Sequence, residues 1–454
     1  MKLIIRRSAI LFIFSLLLLT GLVLFLGNYI NNASTWVQHS SNRHLYTDGK
    51  LNTTGNIYDR SGRLLLEMIE GNINFHEDTT IRTAVMHATG DLNDNVATGA
   101  LVAFRDRLSG WNFFNGVYEF DDMNTSGNDI TLNLDAQLCA TAYRELVGHK
   151  GAVGIYNYET GEIICMVSTP SFDPAHPGNI PFDDPRHEGV YINRLLSPVY
   201  VPGSIFKLVT TAAAIDHIPH VKEKVYKCEG KIQIGEDIVS CLTPCGEVTL
   251  EQALATSCNT TFAQISLELG SKTLQDYANA AGFNSTLHVD GIQTGMGRVD
   301  LSDAEGANLA WAGIGQYTNT ANPLNFMAFM GAIANGGVRV SPSLLSDEGS
   351  FASLIRPLIK KERIIPPKTA EKLGRMMRNN VTSIYGEWNF KGLELCAKTG
   401  TAEVGEGKLP HAWFAGYLDR EDYPLAFMVI VENSGSGLRV AAPIAANILR
   451  AAVN

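Results

Sequence analysis

A run of uncharged residues close to the N-terminus constrains this chain more than any other feature. Residues 8–27 carry no charged side chain and are mostly Leu, Ile, Phe and Val. A helix of about 20 apolar residues is long enough to cross the hydrocarbon core of a bilayer. A cleaved signal peptide is the alternative, but its apolar region spans about 7 to 15 residues and ends in small residues, and "GNYINNAS" is a poor cleavage site. We therefore predict an uncleaved membrane anchor over 8–27.

The basic residues around this run predict its orientation. Lys2, Arg6 and Arg7 precede it, and the next Lys or Arg is Arg43. Basic residues stay on the cytoplasmic side of a membrane segment. We therefore expect a cytoplasmic tail over 1–7 and an exported, extracytoplasmic chain after the anchor.

The composition is that of a folded protein that does not bind nucleic acid. With 454 residues, 45% of them hydrophobic and 18% charged, the chain has enough apolar side chains for a sizeable core and about two or three domains. The formal net charge is −10, and no basic tract with interleaved aromatic residues is present to follow a phosphate backbone. A nucleic-acid partner is therefore not expected.

The cysteines do not form a recognisable metal motif. Seven cysteines are too few for a dense disulfide framework in a chain of this length. Cys228, Cys241 and Cys245 lie close together in a Gly-rich region, but the spacing Cys-x12-Cys-x3-Cys has no fourth ligand nearby and matches no standard zinc spacing. We favour a disulfide or free thiols over a metal, and we expect neither a metal nor a cofactor.

The patterning after the anchor predicts an irregular module followed by an α+β domain. Residues 28–130 mix polar and Gly residues with short apolar stretches, whereas a more regular pattern begins at about 131 and runs to 454. "GAVGIYNYETGEIICMVS" predicts a β-hairpin, and "LELCAKTGTAEV", "HAWFAGYLD" and "LAFMVIVEN" predict three further strands before a C-terminal helix. Between them, 204–340 is predicted to be helical. This order indicates an antiparallel sheet with helices against it.

One helix of the predicted domain carries a serine and a lysine that could act together. Pro202 and Gly203 form a turn, Ser204 stands at the start of the helix, and Lys207 lies three residues later on the same face. The neighbouring side chains are apolar, so Lys207 is predicted to be buried, and burial lowers the pKa of a lysine. A neutral lysine can take the proton of a serine nucleophile. The alternative is an N-cap serine followed by a surface lysine.

Two further motifs follow in the sequence. Ser257-Cys258-Asn259 lies between two apolar helical stretches, and Lys398-Thr399-Gly400-Thr401 lies inside a strand-like run. Each has an ordinary structural alternative, a capping Ser and Asn in the first case and a lysine on a sheet edge in the second. In the order Ser-x-x-Lys, Ser-x-Asn, Lys-Thr-Gly, the three motifs resemble those of serine β-lactamases and penicillin-binding proteins.

The resemblance extends along the whole chain to the class B, monofunctional penicillin-binding proteins. "TGNIYDRSGRLL" at 54–65 is similar to the signature that follows the membrane anchor in that family. "MVSTPSFDP", "GIGQYTNTANPLNFMAFMGAIANGG" and "HAWFAGY" look like further landmarks of the family in the expected order. Two departures stand out: Cys258 is the middle residue of Ser-x-Asn, and the glycine that often follows the Gly-Gln pair is missing.

The resemblance implies a serine D,D-transpeptidase that cross-links peptidoglycan stem peptides, with a β-lactamase-like fold of an antiparallel sheet, helices on both faces and a helical subdomain. The nucleophile would be Ser204, its base Lys207, and Ser257 would pass a proton to the leaving amine. Asn259 would bind the substrate peptide bond, and Lys398 would add positive potential for the substrate carboxylate and help keep Lys207 neutral. The backbone N–H groups of Ser204 and Thr401 would form the oxyanion hole.

Three further expectations follow from the same resemblance. The hydroxyls of Thr399 and Thr401, with Gly400 between them, would bind the substrate carboxylate, and β-lactam antibiotics would acylate Ser204. The segment between the anchor and the transpeptidase domain leaves no room for a glycosyltransferase domain, so a separate polymerase would supply the glycan strands. The enzyme would work at the cell membrane, on the outer side.

Several alternatives share parts of this pattern. A class A serine β-lactamase has a Glu-x-x-Leu-Asn motif, which this chain lacks, since "AEGANLA" at 304–310 fails that spacing. A D,D-carboxypeptidase would hydrolyse the same acyl-enzyme, but the segment at 54–65 favours the transpeptidase branch. A β-lactam sensor or a non-catalytic cell-wall scaffold is the alternative from a different class. The intact motifs weigh against a silent scaffold.

Overall fold

A computed structural model gives the fold, and it describes residues 2–37, 46–47, 50–51, 55–69, 72–109, 129–178, 180–181, 183–346 and 361–454. The chain divides into two compact units. The first unit comprises Met1–Ile57, Leu66–Asn74 and Phe104–Ile130, and the second comprises Tyr58–Leu65, Phe75–Ala103 and Thr131–Asn454. Much of the predicted module 28–130, including 110–128, lies outside the described residues, and its limits stay a prediction.

The first unit begins with the long helix α1 (Lys2–Val37). Within it, Ile4–Tyr29 has a mean hydropathy of 2.9 and is long and apolar enough to cross a membrane. Its large apolar side chains are exposed, as Leu18 (68%) and Leu24 (69%) illustrate. A contiguous exposed apolar surface of this kind is typical of contact with lipid. The prediction of an N-terminal apolar helix of membrane length is confirmed, and its orientation stays a prediction.

The remaining described helices are α2 (Thr79–Thr89), α3 (Ala100–Ala103), α4 (Arg105–Leu108), α5 (Ala136–Leu146), α6 (Lys207–His217), α7 (Leu250–Ala255), α8 (Asn259–Ala280), α9 (Gly306–Gly313), α10 (Pro323–Ala334), α11 (Pro367–Asn380) and α12 (Ala442–Ala452). The first strands are β1 (Tyr46–Thr47), β2 (Lys50–Leu51), β3 (Ile57–Tyr58), β4 (Leu64–Ile69), β5 (Asn72–Phe75) and β6 (Ile130–Thr131). The later strands are β7 (Gly151–Asn157), β8 (Ile163–Thr169), β9 (Tyr226–Cys228), β10 (Lys231–Ile234), β11 (Asp237–Ser240), β12 (Gly246–Val248), β13 (His288–Val289), β14 (Ile292–Gln293), β15 (Val338–Val340), β16 (Lys361–Arg363), β17 (Leu395–Ala402), β18 (His411–Leu418) and β19 (Leu425–Val431).

A five-stranded antiparallel sheet in the order β17-β18-β19-β7-β8 forms the centre of the second unit. Every residue of β8 and β19 is buried. Because successive side chains of a strand point to opposite faces, burial of consecutive residues means that both faces of the sheet are covered. Helices α2 and α12 each pack against α5, and all three contact the sheet. Helices α10 and α11 also pack against each other and the sheet. Strand β17 is at the edge of this sheet.

Local sequence signals explain where several helices begin. Asp135 caps α5 by accepting from the backbone N–H groups of its first turn. Thr249 and Gln252 form a reciprocal capping box at the start of α7. Asn322 caps α10, in which Pro323 is the first residue, a position that does not need a backbone N–H. These caps fix where three helices of the second unit begin.

The predicted hairpin and the three later strands are confirmed as β7, β8, β17, β18 and β19. The prediction of a wholly helical segment over 204–340 is wrong in part, because the hairpins β9–β12 and β10–β11 occupy 226–248. The cause is the segment "KCEGKIQIGEDIVSCLTPCGEV", whose Gly235 turns with a φ of 63° and whose short alternating runs suit strands better than a helix. Helices α6, α8 and α9 pack together beside these hairpins.

Candidate active site

Ser204 lies in a single 3-10 turn, Gly203–Phe206, that leads directly into α6. Gly203 has a φ of 54°, and a Cβ atom there would come within 2.6 Å of the Thr401 carbonyl oxygen. Its N–H donates to the Gly315 carbonyl at 2.9 Å. Glycine is therefore needed to fit this turn against strand β17. Ser204 makes no capping hydrogen bond at this helix start, so the N-cap alternative for Ser204 is wrong.

Lys207, the first residue of α6, is fully buried as predicted. Its Nζ donates to the Ser257 carbonyl at 2.7 Å, to Ser257 Oγ at 3.1 Å and to Asn259 Oδ1 at 2.6 Å. Among the described residues, no hydrogen bond of the Ser204 hydroxyl is found. Ser204 and Lys207 are thus brought together by one turn of helix, while the direct contacts of Lys207 are with the second motif.

The Ser257-Cys258-Asn259 motif connects α7 to α8. Ser257 has a φ of 55°, a left-handed conformation that costs a non-glycine residue about 1–2 kcal/mol. Asn259 begins α8, and its Nδ2 donates to the Ser240 carbonyl at 2.8 Å. The Asn259 amide therefore has two partners, because its Nδ2 donates to the Ser240 carbonyl and its Oδ1 accepts from Lys207. Strain at Ser257 is typical of a functional position.

Lys398, on the edge strand β17, brings the third motif to Ser257, the first residue of the second motif. Its Nζ is fully buried and lies 3.1 Å from Ser257 Oγ and 2.9 Å from the Thr399 carbonyl. Ser257 Oγ thus lies within hydrogen-bond distance of two lysines that come from two different elements. The three predicted motifs meet in one place through Lys207, Ser257, Asn259 and Lys398.

Burial lowers the pKa of both lysines of the site, Lys207 and Lys398. Desolvation lowers the pKa of Lys207 to about 8, an effect that nearby cysteine thiols oppose. Desolvation also lowers the pKa of Lys398 well below its ordinary value, and the charge of Lys207 adds to that effect. The resemblance implied that Lys398 keeps Lys207 neutral. Burial is the main cause of the lowered pKa of both lysines, and like-charge repulsion between them adds to it at Lys398. Because such repulsion is mutual, the help that Lys398 gives in keeping Lys207 neutral stays a prediction.

The rest of the third motif packs closely on the 3-10 turn that carries Ser204. A Cβ atom at Gly400 would come within 2.9 Å of Ile205 Cγ2 and within 3.3 Å of the Pro202 carbonyl oxygen. The missing side chain therefore lets β17 approach the Ser204 turn. Thr399 is half-buried, and Thr401 is exposed at the same edge.

Sequence reasoning missed Tyr385. Its hydroxyl accepts from the Thr399 backbone N–H at 3.2 Å and lies 3.3 Å from Thr399 Oγ1. Tyr385 ends a π-helical turn, Val381–Tyr385, and burial raises its pKa. It stands outside every motif in the sequence, so only the fold reveals it as a support for Thr399.

Two of the outer landmarks form local structure in the second unit. Asp59, from "TGNIYDRSGRLL", accepts from the Ser61 and Arg63 backbone N–H groups at 2.9 Å and closes a turn. Asp173, from "MVSTPSFDP", forms a two-point ion pair with Arg82 of α2, with both hydrogen bonds at 2.6 Å. The contacts of Asp59 and Asp173 are thus structural ones, a turn and an ion pair.

Comparison with known proteins identifies the family. A family model described as the penicillin binding protein transpeptidase domain matches residues 151–450. Peptidoglycan D,D-transpeptidase PbpA of Mycobacterium tuberculosis is 30% identical over 335 residues, which are 67% of this chain and 67% of the relative. Stage V sporulation protein D of Bacillus subtilis is 27% identical over 352 residues, which are 71% of this chain and 53% of that protein.

A solved structure supports the same assignment. Penicillin-binding protein A from M. tuberculosis, in an imipenem acyl-enzyme complex, aligns with a TM-score of 0.77 at 25% identity, covering 89% of this chain and 99% of that chain. The α+β transpeptidase fold predicted from the sequence is thereby confirmed. The chain belongs to the penicillin-binding protein transpeptidase family, in the class B branch that its motifs resemble.

Proposed function

We propose that the chain is a peptidoglycan D,D-transpeptidase that cross-links stem peptides through an acyl-enzyme on Ser204, with 131–454 as its transpeptidase domain. The observation that carries the proposal is the convergence of two buried lysines, Lys207 and Lys398, on Ser257 Oγ beside the Ser204 turn. Family membership supports it, as do the names of the relatives and the acyl-enzyme structure of one of them.

The first half-reaction forms the acyl-enzyme. A neutral amine has two N–H donors and one lone pair, so neutral Lys207 keeps two of its three donated hydrogen bonds and can accept the Ser204 proton with its lone pair. Ser204 Oγ then bonds to the carbonyl carbon of the penultimate D-alanine. The backbone N–H groups of Ser204 and Thr401 stabilise the oxyanion, a contribution whose loss typically costs about 10²–10³ in rate.

Collapse of this intermediate breaks the bond to the terminal D-alanine. The proton held by Lys207 passes through Ser257 Oγ to the leaving amine, because Ser257 is within hydrogen-bond distance of Lys207 Nζ. Lys398, Thr399 and Thr401 bind the carboxylate of that D-alanine. Asn259 binds the peptide bond of the donor, which requires one of its amide hydrogens to turn toward substrate.

The second half-reaction transfers the acyl group. The amine of a neighbouring stem peptide attacks the ester carbonyl and gives a proton to Lys207, and Ser204 leaves with that proton. One amide bond has replaced another, and the enzyme returns to its starting state. A β-lactam follows only the first half, because its leaving nitrogen stays tethered in the site and obstructs the acceptor amine.

The chain would carry out this reaction outside the cytoplasm. Helix α1 anchors it in the membrane with 1–7 in the cytoplasm, as the positions of Lys2, Arg6 and Arg7 favour. A separate polymerase supplies the glycan strands that carry the donor and acceptor peptides.

Intact-mass analysis with benzylpenicillin tests the nucleophile. We expect the full-length chain in detergent to gain one stoichiometric adduct that decays over hours. Ser204→Ala should gain none, whereas Ser302→Ala, at an exposed serine outside the site, should behave as wild type. Rapid loss of the adduct with turnover of the drug would indicate a β-lactamase instead. Absence of any adduct would favour the non-catalytic scaffold.

A donor peptide ending in D-Ala-D-Ala separates transfer from hydrolysis. Incubated with an amine acceptor, the wild-type chain should release D-alanine and form the transfer product. Release of D-alanine with only the hydrolysed peptide, even at high acceptor concentration, would identify a D,D-carboxypeptidase. Ser204→Ala should release no D-alanine above the background of substrate alone.

A further inference from the structure

Four cysteines of the second unit converge on one point beside the active site. Cys228, Cys241, Cys245 and Cys258, called here the four-cysteine cluster, have sulfur atoms that all lie within 4.8 Å of one another. All seven cysteines of the chain are free thiols in the structure. The fourth member is Cys258, the middle residue of the Ser-x-Asn motif, which the sequence spacing had not connected with the other three.

The fold brings these sulfurs together from four separate places. Cys228 ends β9 and pairs with Gly246 at the start of β12. Cys241 directly follows β11. Cys245 directly precedes β12, and Cys258 is the residue before α8. Two hairpins and one helix start are thus gathered at a single cluster.

The distances fit a tetrahedral thiolate site. Cys241 Sγ lies 3.7 Å from Cys228 Sγ and 3.7 Å from Cys258 Sγ. Four sulfurs at about 2.3 Å from a central zinc ion stand about 3.8 Å apart, whereas a disulfide bond is about 2.05 Å long. The inner pair, Cys241 and Cys245, is separated by three residues, which matches the short ligand spacing of structural zinc sites.

The groups around the sulfurs also suit thiolate ligands. The backbone N–H of Cys245 donates to Cys228 Sγ at 3.3 Å, and that of Thr260 donates to Cys241 Sγ at 3.4 Å. The Thr261 hydroxyl lies 3.1 Å from Cys258 Sγ. Hydrogen bonds of this kind orient metal ligands and stabilise their negative charge. The N-terminal end of α8, which is interrupted by a kink only at Gly270, contributes a positive dipole at Cys258.

We propose that the four-cysteine cluster binds one zinc ion in a tetrahedral four-thiolate site. Four cysteine thiolates in tetrahedral geometry are one of the usual ligand sets of structural zinc sites, and such closed sites stabilise the fold around them. The ion would join the β9–β12 and β10–β11 hairpins to the start of α8.

The consequence for the active site follows from the position of Cys258. It lies between Ser257 and Asn259, the two residues that accept hydrogen bonds from Lys207. The hairpin also supplies the Ser240 carbonyl that holds Asn259, one residue before Cys241. Cys258 is therefore a positioning residue, since a metal on its sulfur fixes both of its neighbours. This consequence rests on the proposed function, whereas the metal site itself does not.

Metal analysis of the full-length protein tests the site directly. We expect the chain, purified in detergent without chelators, to contain about one zinc ion per molecule. Replacement by cobalt should give the visible bands of tetrahedral thiolate cobalt. Iron at the same stoichiometry would overturn the zinc assignment. Metal-free protein with a mass about 2 Da lower, from a disulfide among these cysteines, would overturn the site altogether.

Matched variants separate the cluster from the other cysteines. Cys245→Ala should lose most of the bound zinc, whereas Cys139→Ala, at a buried cysteine outside the cluster, should retain it. Equal zinc content in the two variants would contradict the assignment. The wild-type metal content and cobalt spectrum test the site even where Cys245→Ala fails to fold.

The positioning role is tested by removing and restoring the ion. Chelation of wild-type protein should slow acylation by benzylpenicillin about tenfold, and added zinc should restore it. An unchanged rate in the metal-free protein would overturn the positioning role and leave the metal site standing. Absence of acylation in the zinc-loaded protein would instead count against the proposed function.

Discussion

On the proposed mechanism we expect Lys207 to determine how the activity of the site depends on pH. Burial lowers its pKa to about 8, while three thiols of the four-cysteine cluster oppose that effect and Lys398 is the other cation near Ser257. On the proposed mechanism only neutral Lys207 accepts the Ser204 proton, and below the pKa its neutral fraction rises about tenfold per pH unit. We expect the second-order rate of acylation by benzylpenicillin to rise with pH up to about 8 and then level off. Rates measured with a fluorescent penicillin from about pH 6 to 9 check this.

A variant at the same position provides the control for that pH profile. Lys207→Arg keeps the positive charge but stays protonated throughout the range, because the arginine pKa exceeds about 12. The variant should acylate far more slowly, with no rise near pH 8. A wild-type rate that is flat or falls between pH 7 and 8 would contradict the assignment of Lys207 as the base.

Tyr317 occupies a backbone conformation that suits glycine. It follows Gly315 and Gln316, at the position where the family that the motifs resemble often has a glycine, and its φ is 64°. An L-residue in this region costs about 1–2 kcal/mol relative to glycine. We expect Tyr317→Gly to exceed Tyr317→Ala by about 1 kcal/mol in free energy of unfolding, measured by urea denaturation. At a position with negative φ the alanine variant would be the more stable, so the opposite order would show that Tyr317 is unstrained.

The sequence predicted the residues of the site better than their contacts. The apolar neighbours of Lys207 correctly predicted its burial, and motif order correctly grouped Ser257 with Lys398. The partners of Lys207 lie 50 and 52 residues away along the chain, and such contacts depend on tertiary packing that spacing does not encode. Tyr385 and the membership of Cys258 in the four-cysteine cluster were missed for the same reason.

At the scale of elements, a buried ion pair joins α2 to the loop after β8. The side chains of Arg82 and Asp173 are only 10% and 20% exposed, and the pair lowers the pKa of Asp173 from 3.8 to about 2. A carboxyl with a lowered folded pKa stabilises the fold above its unfolded pKa and loses that contribution as the pH falls. We expect Asp173→Asn to lower the free energy of unfolding by about 1–2 kcal/mol at pH 7 and by little near pH 2. Urea denaturation at both pH values checks this.

Asp184 provides a matched control for the ion pair. Its pKa is also lowered to about 2, chiefly by Arg186, but that arginine is 85% exposed. Exposed ion pairs contribute little to stability because water and salt screen them. Asp184→Asn should therefore change stability less than Asp173→Asn. Equal effects of the two substitutions would show that burial of the Arg82–Asp173 pair does not matter.

The strands were predictable where apolar runs are continuous, and the hairpins were not. Strands β7, β8 and β19 are buried along almost their whole length, so their sequences are recognisable as strands. The hairpins over 226–248 bury few residues, and β10 alternates between exposed and half-buried positions. Such segments carry a weak hydrophobic pattern. These strands are held in place by pairing between strands and, on our proposal, by the metal ion that joins them.

At the scale of the whole molecule, the anchor and the site belong to different units. The apolar span Ile4–Tyr29 is in the first unit, and every residue of the proposed mechanism is in the second. The sequence predicted both parts, because an unbroken apolar run and three ordered motifs are each independent of tertiary context. It predicted 28–130 as a separate irregular module, and within that stretch Phe75–Ala103 belongs to the second compact unit.

This separation makes a prediction about a chain that lacks the anchor. Deletion of 4–29 removes the exposed apolar helix and no residue of the site, so the shortened chain should leave the membrane fraction after alkaline extraction, whereas the full chain should stay in it. Both chains should be acylated by benzylpenicillin at the same rate within about twofold. A shortened chain that remains with the membrane would reveal a second membrane-binding surface. Loss of acylation in a soluble, folded chain would mean that the first unit contributes to the site.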